Sequence, residues 1–404
     1  MTEIKKKDPI ELFISKCKDL GISKEKLKFL RLQKKRNDKI YRANTHQYLY
    51  NFLRQIKISP KIIPKVVSKD SKLIPRLNYY SFIKLSLNEL KSIIKKNFIE
   101  IFKLQEFILE LETPTGFNLH GEKHVSNVVN NGIKLLNRSS LKNSNKDLIK
   151  KEMVIAGYLH DIGNLVGRKN HSIYSIPLLT QVFSDTNKSK KTLLSFLRIL
   201  EAILFHEIEM AFSLSSLQKL NPVALSLMIA DKTDLSSWRV SSKANHRRAF
   251  SDEYVLVNFF ASKSTINIRG KTFIWKILFS PKPSKREKDT FPHLLKRSER
   301  KWAPGLWQRL YREGNIEYLF AFSATFLRVY LPRMLITIKA VFALFKQIDM
   351  FKLVIADKER KITLHRVFTR EDYEKKIFKL AKNLFKNQKP KTWALFSHYS
   401  SNQS

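Results

Sequence analysis

Apolar and polar positions alternate at helical spacing over much of the first 250 residues. In the segments 8–32 and 79–111, apolar side chains recur every three or four positions, as in SFIKLSLNELKSIIKKNFIEIFKLQEFILEL. From His120 to Trp238 one apolar helix pattern follows another, and the breaks between them are rich in Asn, Ser and Lys. This pattern predicts a bundle of helices that is preceded by further helices.

The pattern changes after Ser251. The runs YVLVNFF, STINI and TFIWKILF are short and rich in β-branched and aromatic residues, and the turn-like sequence Arg269-Gly270-Lys271 separates the last two. A long apolar helix is expected at about 316–345, and the strand-like runs FKLVIA and KITLHRV follow it. These elements predict a small α+β module after the helical bundle.

The predicted fold class is mainly α, and the changes in pattern divide the 404 residues into four regions. In order, these are a basic helical N-terminal region at 1–110, a helical domain at 111–250, an α+β module at 251–370 and a basic tail at 371–404. The α+β module carries a basic, proline-bearing insertion at about 280–317. No internal repeat is evident.

The composition is that of a folded chain. Apolar residues make up 43% of the sequence and aromatic residues 11%, which is too much for a disordered protein. Cys17 is the only cysteine, so no internal disulfide can form and a metal ion would need imidazole and carboxylate ligands. The N-terminus lacks a signal-peptide pattern, and charged residues interrupt the apolar stretch at 318–351. We therefore expect a cytoplasmic protein without a membrane span.

Positive charge dominates the sequence, with 76 Lys and Arg against 35 Asp and Glu and a formal net charge of +41. Such a field attracts nucleic acid, nucleotides or an anionic membrane surface, and salt weakens the attraction. Skewed codon usage would also give a chain rich in Lys, Ile and Asn. The insertion, which holds Trp302 and Trp307, could follow a phosphate backbone or form a solvated loop. Both a nucleic-acid partner and a purely compositional origin stay open.

Candidate chemistry is concentrated in histidine and acidic residues near the ends or edges of predicted helices. The segments HVSNVVNNGIKLL, YLHDIGN, ILFHEIE and IADKTD each carry such residues, and side chains from separate helices could meet at one point. The adjacent pair His160-Asp161 offers an imidazole nitrogen and a carboxylate that can reach or bridge metal ions. Imidazole and carboxylate ligands together suit Mn, Fe, Mg, Co or Zn and do not suit copper(I).

These residues resemble the HD-domain superfamily of metal-dependent phosphohydrolases. Its members carry a His, then an adjacent His-Asp pair, then a distant Asp, all on a helical bundle. The matching residues in this sequence are His124, His160-Asp161 and Asp231, and they lie in the distinctive local sequences LHDIGN and IADKTDLSSWRV. The resemblance implies a helical HD-domain bundle with a metal site.

Two histidines could occupy the first position of this pattern. His120 lies four residues before His124, and either side chain could be the first ligand. We favour His124 because Val125, Val128 and Val129 place it at the edge of an apolar helix face.

The resemblance also implies a second ion. In superfamily members with two metals, a His shortly after the His-Asp pair and another His on the next helix complete the shell of the second ion. His171 and His206 occupy those places in this sequence. No Gly-Tyr-Pro motif follows His206, which counts against cyclic dinucleotides as the substrate. The expected cofactor is therefore one or two divalent ions.

A closer resemblance is to a little-characterised group of prokaryotic HD phosphohydrolases with a C-terminal α+β appendage. That group carries LHDIGN, a GR sequence with a nearby His, and ADK-(S/T)-D followed by an Arg-Val pair. In this chain LPRMLITIKAVFALFKQIDMFKLVIAD stands where the appendage is expected. The likeness covers roughly 111–365 apart from the insertion.

The function implied by the resemblance is hydrolysis of a phosphomonoester or phosphodiester, expected to be nucleotide or nucleic-acid-related, by a metal-activated water. Asp161 would bridge the two ions or anchor one of them. Arg168, Lys169 and Lys232 lie beside candidate ligands and could hold phosphate oxygens. Lys232 could instead form a surface salt bridge. The candidate catalytic residues are thus Asp161, Lys232 and Arg168.

Other side chains and other functions fit the same sequence. Asp234 and Glu207 could orient ligand imidazoles from behind, and Arg239 could either act at the site or stack on Trp238. The six-ligand set also occurs in HD-fold proteins that carry a mixed-valent di-iron centre and cleave carbon bonds with oxygen. A third hypothesis is that the protein mainly binds nucleic acid and that its HD site has a secondary role.

Overall fold

The computed structural model of the protein describes several separate stretches of the chain. They are 75–112, 120–141, 143–165, 171–207, 211, 217–239, 257–258, 260–279, 317–357 and 363–373. Helix accounts for 65% of the described residues, which confirms the prediction of a mainly α protein with a small sheet. These stretches belong to two compact units, divided between Asp234 and Leu235. The finer division at 110, 250 and 370 stays a prediction.

The first unit consists mainly of helices. They are α1 (Tyr79–Phe82), α2 (Leu87–Glu112), α3 (Glu122–Arg138), α4 (Asn143–Leu159), α5 (His171–Val182), α6 (Lys190–Phe205) and α7 (Pro222–Lys232). Two short parallel strands, β1 (Leu77–Asn78) and β2 (Phe183–Ser184), join the start of the described chain to the end of α5. Helix α4 packs against α2, α3, α6 and α7, and it is therefore the centre of this unit.

Glycine residues allow α3 and α4 to approach closely. A Cβ atom on Gly157 of α4 would lie 2.7 Å from Cγ2 of Val129, and one on Gly132 of α3 would meet the side chain of Met153. Because neither glycine carries a side chain, the two helices pack backbone against side chain at this crossing. His124 of α3 consequently comes close to the C-terminal end of α4.

Helix α7 is buried along most of its length, with every residue from Val223 to Ala230 in the interior. Its start is defined by Asn221, whose side chain accepts hydrogen bonds from the backbone N–H groups of Val223 at 2.9 Å and Ala224 at 3.1 Å. Such a cap satisfies N–H groups that have no partner within the helix. The cap and the apolar surface together place the last turn of α7, which carries Asp231.

The second unit contains a four-stranded sheet and one long helix. Its elements are β3 (Ala261–Arg269), β4 (Thr272–Phe279), α8 (Glu317–Leu344), β5 (Met350–Asp357), β6 (Thr363–Thr369) and the short α9 (Arg370–Asp372). The strand order is β3-β4-β5-β6, with β4 and β5 parallel and the outer pairs antiparallel. Alternate side chains of β4, from Phe273 to Phe279, are buried, so this face of the strand belongs to the core.

Most of the predicted elements of this unit are present. The turn between β3 and β4 contains Gly270 at φ +53, a backbone conformation that glycine adopts without strain. Helix α8 matches the helix predicted at 316–345. None of the helices that the structure describes combines the length and the apolar character of a membrane span.

One predicted strand is wrong. The run YVLVNFF was expected to be extended, but Val257, Asn258 and Phe260 are helical. Val257 and Phe260 are both buried, which is the spacing of one helix face. The side chain of Asn258 accepts a hydrogen bond from the backbone of Ser236 and donates one to the Tyr330 hydroxyl. These long-range contacts outweigh the β propensity of the local sequence.

Several predicted elements lie outside the described residues. They are the helix at 8–32, the basic insertion up to residue 316, the tail beyond residue 373, and the candidate phosphate-binding residues Arg168 and Lys169.

Candidate metal centre

Seven imidazole and carboxylate side chains of the first unit converge where several helices end or begin. They are His120 before α3, His124 in α3, His160 and Asp161 after α4, His171 at the start of α5, His206 after α6, and Asp231 in the last turn of α7. The structure thus brings together all six residues predicted as metal ligands, and it adds His120 to them. His120 and His124 come from the start of one helix and His160 and Asp161 from the end of another, and the other three residues come from three further helix ends, so only the tertiary fold unites them.

Four of these residues form what we call the first ligand group: His124, His160, Asp231 and Oδ2 of Asp161. Nε2 of His124 lies 3.4 Å from Oδ1 of Asp231, and Nε2 of His160 lies 3.1 Å from Oδ2 of Asp161. The two remaining nitrogen–oxygen distances, His124 to Asp161 and His160 to Asp231, are both 3.9 Å. Ligands that bind one ion at about 2.0–2.2 Å lie about 3–4 Å from one another. These spacings therefore suit a single ion.

The second ligand group consists of His171, His206 and Oδ1 of Asp161. Nε2 of His171 lies 3.1 Å from Oδ1 of Asp161, and Nε2 of His206 lies 3.6 Å from the same oxygen. The two Nε2 atoms are 3.0 Å apart. The two carboxylate oxygens of Asp161 therefore face different sets of imidazoles.

Backbone carbonyl groups orient two of the rings. Nδ1 of His160 donates a hydrogen bond to the carbonyl of Gly157 at 2.9 Å, and Nδ1 of His206 donates one to the carbonyl of Ile203. A carbonyl oxygen can only accept, so Nδ1 must carry the proton in both rings. In the neutral ring Nε2 is then left with its lone pair, and Nε2 is the atom that faces the ligand groups.

His124 is oriented by a carboxylate. Its Nδ1 lies 2.6 Å from Oδ2 of Asp234, whose other oxygen accepts a hydrogen bond from Asn127 at 3.3 Å. The Nε2 atom of His124 is buried and has no hydrogen-bond partner among the residues that the structure describes. An unpaired buried polar atom is costly, and a metal ion at the first ligand group would give this nitrogen a partner.

Both candidate ligand carboxylates are held in the charged form. Burial would raise the pKa of Asp161, but the neighbouring His160 and His120 hold this pKa well below its usual range. Burial acts in the same direction on Asp231, and the charge of Lys232 together with His124 keeps its pKa well below the usual range as well. The centre therefore presents negative charge, as a site for cations requires.

The two buried imidazoles nearest to Asp161 differ in their protonation. Burial lowers the pKa of His206 to about 4, and the hydrogen bond to Asp161 offsets only part of this effect. Burial also disfavours the cation of His160, but the charge of Asp161 outweighs it and raises the pKa of His160 above its usual value. His206 is thus neutral at neutral pH, which is the form that binds metal.

The structure also places the predicted supporting residues. Lys232 is only 7% exposed, and its ammonium group contacts Oδ2 of Asp231, so it does not form a surface salt bridge. Oε1 of Glu207 lies 3.7 Å from Nδ1 of His171, and the Ser172 hydroxyl donates a hydrogen bond to the same carboxylate. Arg239 belongs to the second unit and is buried there.

Sequence reasoning missed three residues that hold the centre in place. Gln105 of α2 donates a hydrogen bond to the backbone carbonyl of Asp161 at 2.6 Å. The hydroxyl of Ser175 accepts from the backbone N–H of Gly163 at 2.8 Å and contacts the carbonyl of His160 at 3.1 Å. Gln105 could have been noticed, because it interrupts the buried apolar stripe of α2. Gly163 lies within the LHDIGN sequence noted above, and Ser175 offered no comparable signal.

Comparison with known proteins adds no relative. No protein-family model matches the chain, and neither the curated proteins nor the solved structures contain a match. The buried His and Asp groups define a centre that could hold a metal ion, and this conclusion rests on their geometry alone.

Proposed function

We propose that this protein is a metal-dependent phosphohydrolase of the HD type, which hydrolyses a phosphomonoester or phosphodiester of a nucleotide or nucleic-acid-related compound. The main supporting observation is the position of Asp161. Each of its carboxylate oxygens faces a pair of imidazole Nε2 atoms, and Asp231 lies beside the first pair. The order of these residues along the chain agrees with the superfamily pattern.

The residues of the centre fit one or two divalent ions. Imidazole and carboxylate are the ligands that Mn, Fe, Co and Zn prefer, and the unpartnered Nε2 of His124 faces the first ligand group. His124, His160, Asp161 and Asp231 would hold the first ion, and Asp161, His171 and His206 the second. Bound ions would supply an activated water and neutralise charge on the phosphoryl oxygens.

The side chains of the centre have distinct tasks in this reaction. The carbonyls of Gly157 and Ile203 and the carboxylate of Asp234 fix the ring orientations, so that little reorganisation is needed when substrate binds. Lys232 balances the charge of Asp231 and would hold a non-reacting phosphate oxygen beside the first ligand group. Arg168 is proposed for the same task from the segment after α4.

A metal and substrate panel tests the proposal. Purified protein supplied with Mn²⁺, Co²⁺, Zn²⁺ or Mg²⁺ is expected to release phosphate or nucleotide from at least one phosphomonoester or phosphodiester, including nucleotides and short oligonucleotides. Asp161→Asn should abolish this activity. Asp147→Asn is the matched control, because Asp147 lies on α4 but is exposed and pairs with Lys151 of the same helix. Activity that survives in the Asp161 variant without metal would contradict the proposal.

The same six ligands would also serve a mixed-valent di-iron oxygenase, because Asp161 bridges the two ligand groups in both cases. Metal analysis of the aerobically purified protein separates the two functions. The phosphohydrolase predicts activity with manganese, cobalt, zinc or magnesium. The oxygenase predicts two irons per chain and an electron-spin signal of a mixed-valent pair, and a protein that is active with zinc or manganese alone excludes it.

A further inference from the structure

His120 lies at the centre but outside the six-residue ligand pattern. It immediately precedes Gly121, the N-cap of α3, and its side chain is 17% exposed. Its Nδ1 atom lies 2.7 Å from Oδ2 of Asp161, and its ring packs edge-on against that of His124 with centroids 5.2 Å apart. His120 therefore occupies the outer side of the first ligand group.

Three imidazole nitrogens surround one carboxylate oxygen at this point. Nδ1 of His120 lies 2.7 Å from Oδ2 of Asp161, Nε2 of His160 lies 3.1 Å from it, and Nε2 of His124 lies 3.9 Å from it. Ligand atoms that bind one ion at about 2.0–2.2 Å lie about 3–4 Å from one another. The His160 and His124 distances lie in this range, and the shorter 2.7 Å contact of His120 is a hydrogen bond that ion binding would replace.

A second observation points to an ion at the same place. The ligand atoms of His120, His124 and Asp161 all lie within 4.8 Å of one another. Nε2 of His124 is fully buried and finds no hydrogen-bond partner in the described part of the chain, although its ring lies between His120 and His160. An ion among these three rings would bind the unpartnered nitrogen and would also contact Nδ1 of His120.

We propose that His120 is a further ligand of the first ion, which would then bind three imidazoles together with Asp161 and Asp231. This inference rests on the metal centre of the proposed function. Three nitrogen ligands shift the preference of the site from Mg²⁺ toward borderline ions such as Fe²⁺, Co²⁺ and Zn²⁺. His120 binds through Nδ1, whereas the other histidines of the centre present Nε2.

Cobalt binding to the full-length protein tests this assignment without any enzyme assay. Co²⁺ affinity and the visible absorption of bound Co²⁺, which reports the number and type of ligands, are measured for wild type, His120→Ala and His120→Asn. The amide nitrogen of asparagine can replace Nδ1 as a hydrogen-bond donor to Asp161, and the amide group is a much weaker ligand for Co²⁺ than imidazole. Both variants are expected to bind the first ion roughly tenfold or more weakly and to show an altered spectrum.

The control variant is His365→Ala, since His365 is an exposed histidine of the second unit. It should bind Co²⁺ like wild type, and circular dichroism should show that all variants fold. Wild-type affinity and spectrum in His120→Asn would overturn the proposal and leave His120 as a hydrogen-bond donor only. If wild type binds Co²⁺ but hydrolyses no phosphoester, the proposed function fails while the assignment of His120 is still decided by the spectra. A wild-type chain that binds no Co²⁺ overturns the assignment.

Discussion

At the scale of single residues, Asp161 links the two ligand groups to each other and to helix α2. Its side chain is buried, its oxygens face both ligand groups, and its backbone carbonyl accepts a hydrogen bond from Gln105. A buried carboxylate surrounded by imidazoles keeps its charge only while cations or protons balance it. Metal ions are the most effective partners for such a charge, so the centre should couple ion binding to stability.

Removal of the ions is expected to lower the stability of the folded protein. An ion at one hundred times its Kd stabilises the folded state by about 2.7 kcal/mol. The midpoint of thermal unfolding of wild type should therefore fall when EDTA is added. Asp161→Asn should lose this response, since the carboxylate that faces both ligand groups is gone, whereas the exposed Asp147→Asn should keep it. Equal midpoints with and without EDTA in wild type would contradict the prediction.

Gly163 allows a second prediction at this scale. A Cβ atom there would overlap the carbonyl oxygen of His171 and lie 2.7 Å from the backbone nitrogen of Ser175. Gly163→Ala is therefore expected to shift the start of α5 and to destabilise the protein by about 1–3 kcal/mol. Because His171 begins α5, the second ion should bind roughly tenfold more weakly, while the first ion keeps its affinity.

The matched control for this variant is Gly270→Ala. A Cβ atom on Gly270 meets nothing within 4 Å, so only its left-handed backbone is strained, at about 1–2 kcal/mol. Calorimetric titration with Co²⁺ should find two ions in the control and a weakened second ion in Gly163→Ala. A uniform loss of both ions would show that the effect is general destabilisation.

At the scale of elements, the candidate ligands lie at helix ends, and the side chains that pack the bundle lie along the helices. Helices α4, α6 and α7 are mostly apolar within the bundle, and among their described polar side chains Glu152 of α4 pairs with Arg198 of α6. Arg198 donates a hydrogen bond from Nε to Glu152 at 2.8 Å, and the hydroxyl of Ser195 donates one to the same carboxylate at 2.6 Å. Tyr79 of α1 contacts Ser195 at 2.8 Å. This network ties α1 to the two central helices.

The Glu152–Arg198 pair should make stability depend on pH. Burial raises the pKa of Glu152 above its usual value even though Arg198 and Ser195 lower it. A raised pKa in the folded state means that stability is highest below the unfolded pKa of about 4.5 and declines as pH rises through the folded pKa. Arg198→Met removes the balancing charge and raises this pKa further. In this variant the stability of the folded protein should then decline more steeply as pH rises.

We expect Arg198→Met to destabilise the protein by about 3 kcal/mol at pH 8, where Glu152 is ionised in the unfolded chain, and by less at pH 5. Urea unfolding at both pH values measures the difference. The double variant Glu152→Gln/Arg198→Met should regain most of the stability at pH 8, because no buried charge is left. A loss that is equal at both pH values in the single variant would show that packing, and not charge, is responsible.

At the scale of the whole molecule, the formal charge of +41 is the dominant physical property. A chain with this charge is expected to bind polyanions, and the binding should weaken by tenfold or more between about 50 and 200 mM salt. Fluorescence anisotropy with a labelled single-stranded oligonucleotide measures the effect. Binding should be the same in wild type and Asp161→Asn, since the centre does not supply the charge. Salt-independent binding would rule out this electrostatic origin.

The sequence alone determined most secondary-structure elements of this protein and the types of side chain available at the candidate metal centre. The apolar spacing identified the bundle helices and most strands of the sheet, because local periodicity decides which face of an element is buried. The motifs around His160-Asp161 and Asp231 identified six ligand candidates, and the structure brings all six together. A single cysteine had already limited these candidates to imidazole and carboxylate.

Only the tertiary structure decided how these residues are used. It placed both His120 and His124 beside Asp161, buried Lys232 in the interior of the bundle, and made the segment around Asn258 helical where its local sequence favours a strand. Each of these outcomes depends on contacts between residues that are far apart in the chain. Local propensity carries no information about such contacts, because burial, hydrogen-bond partners and charge balance are properties of the packed molecule.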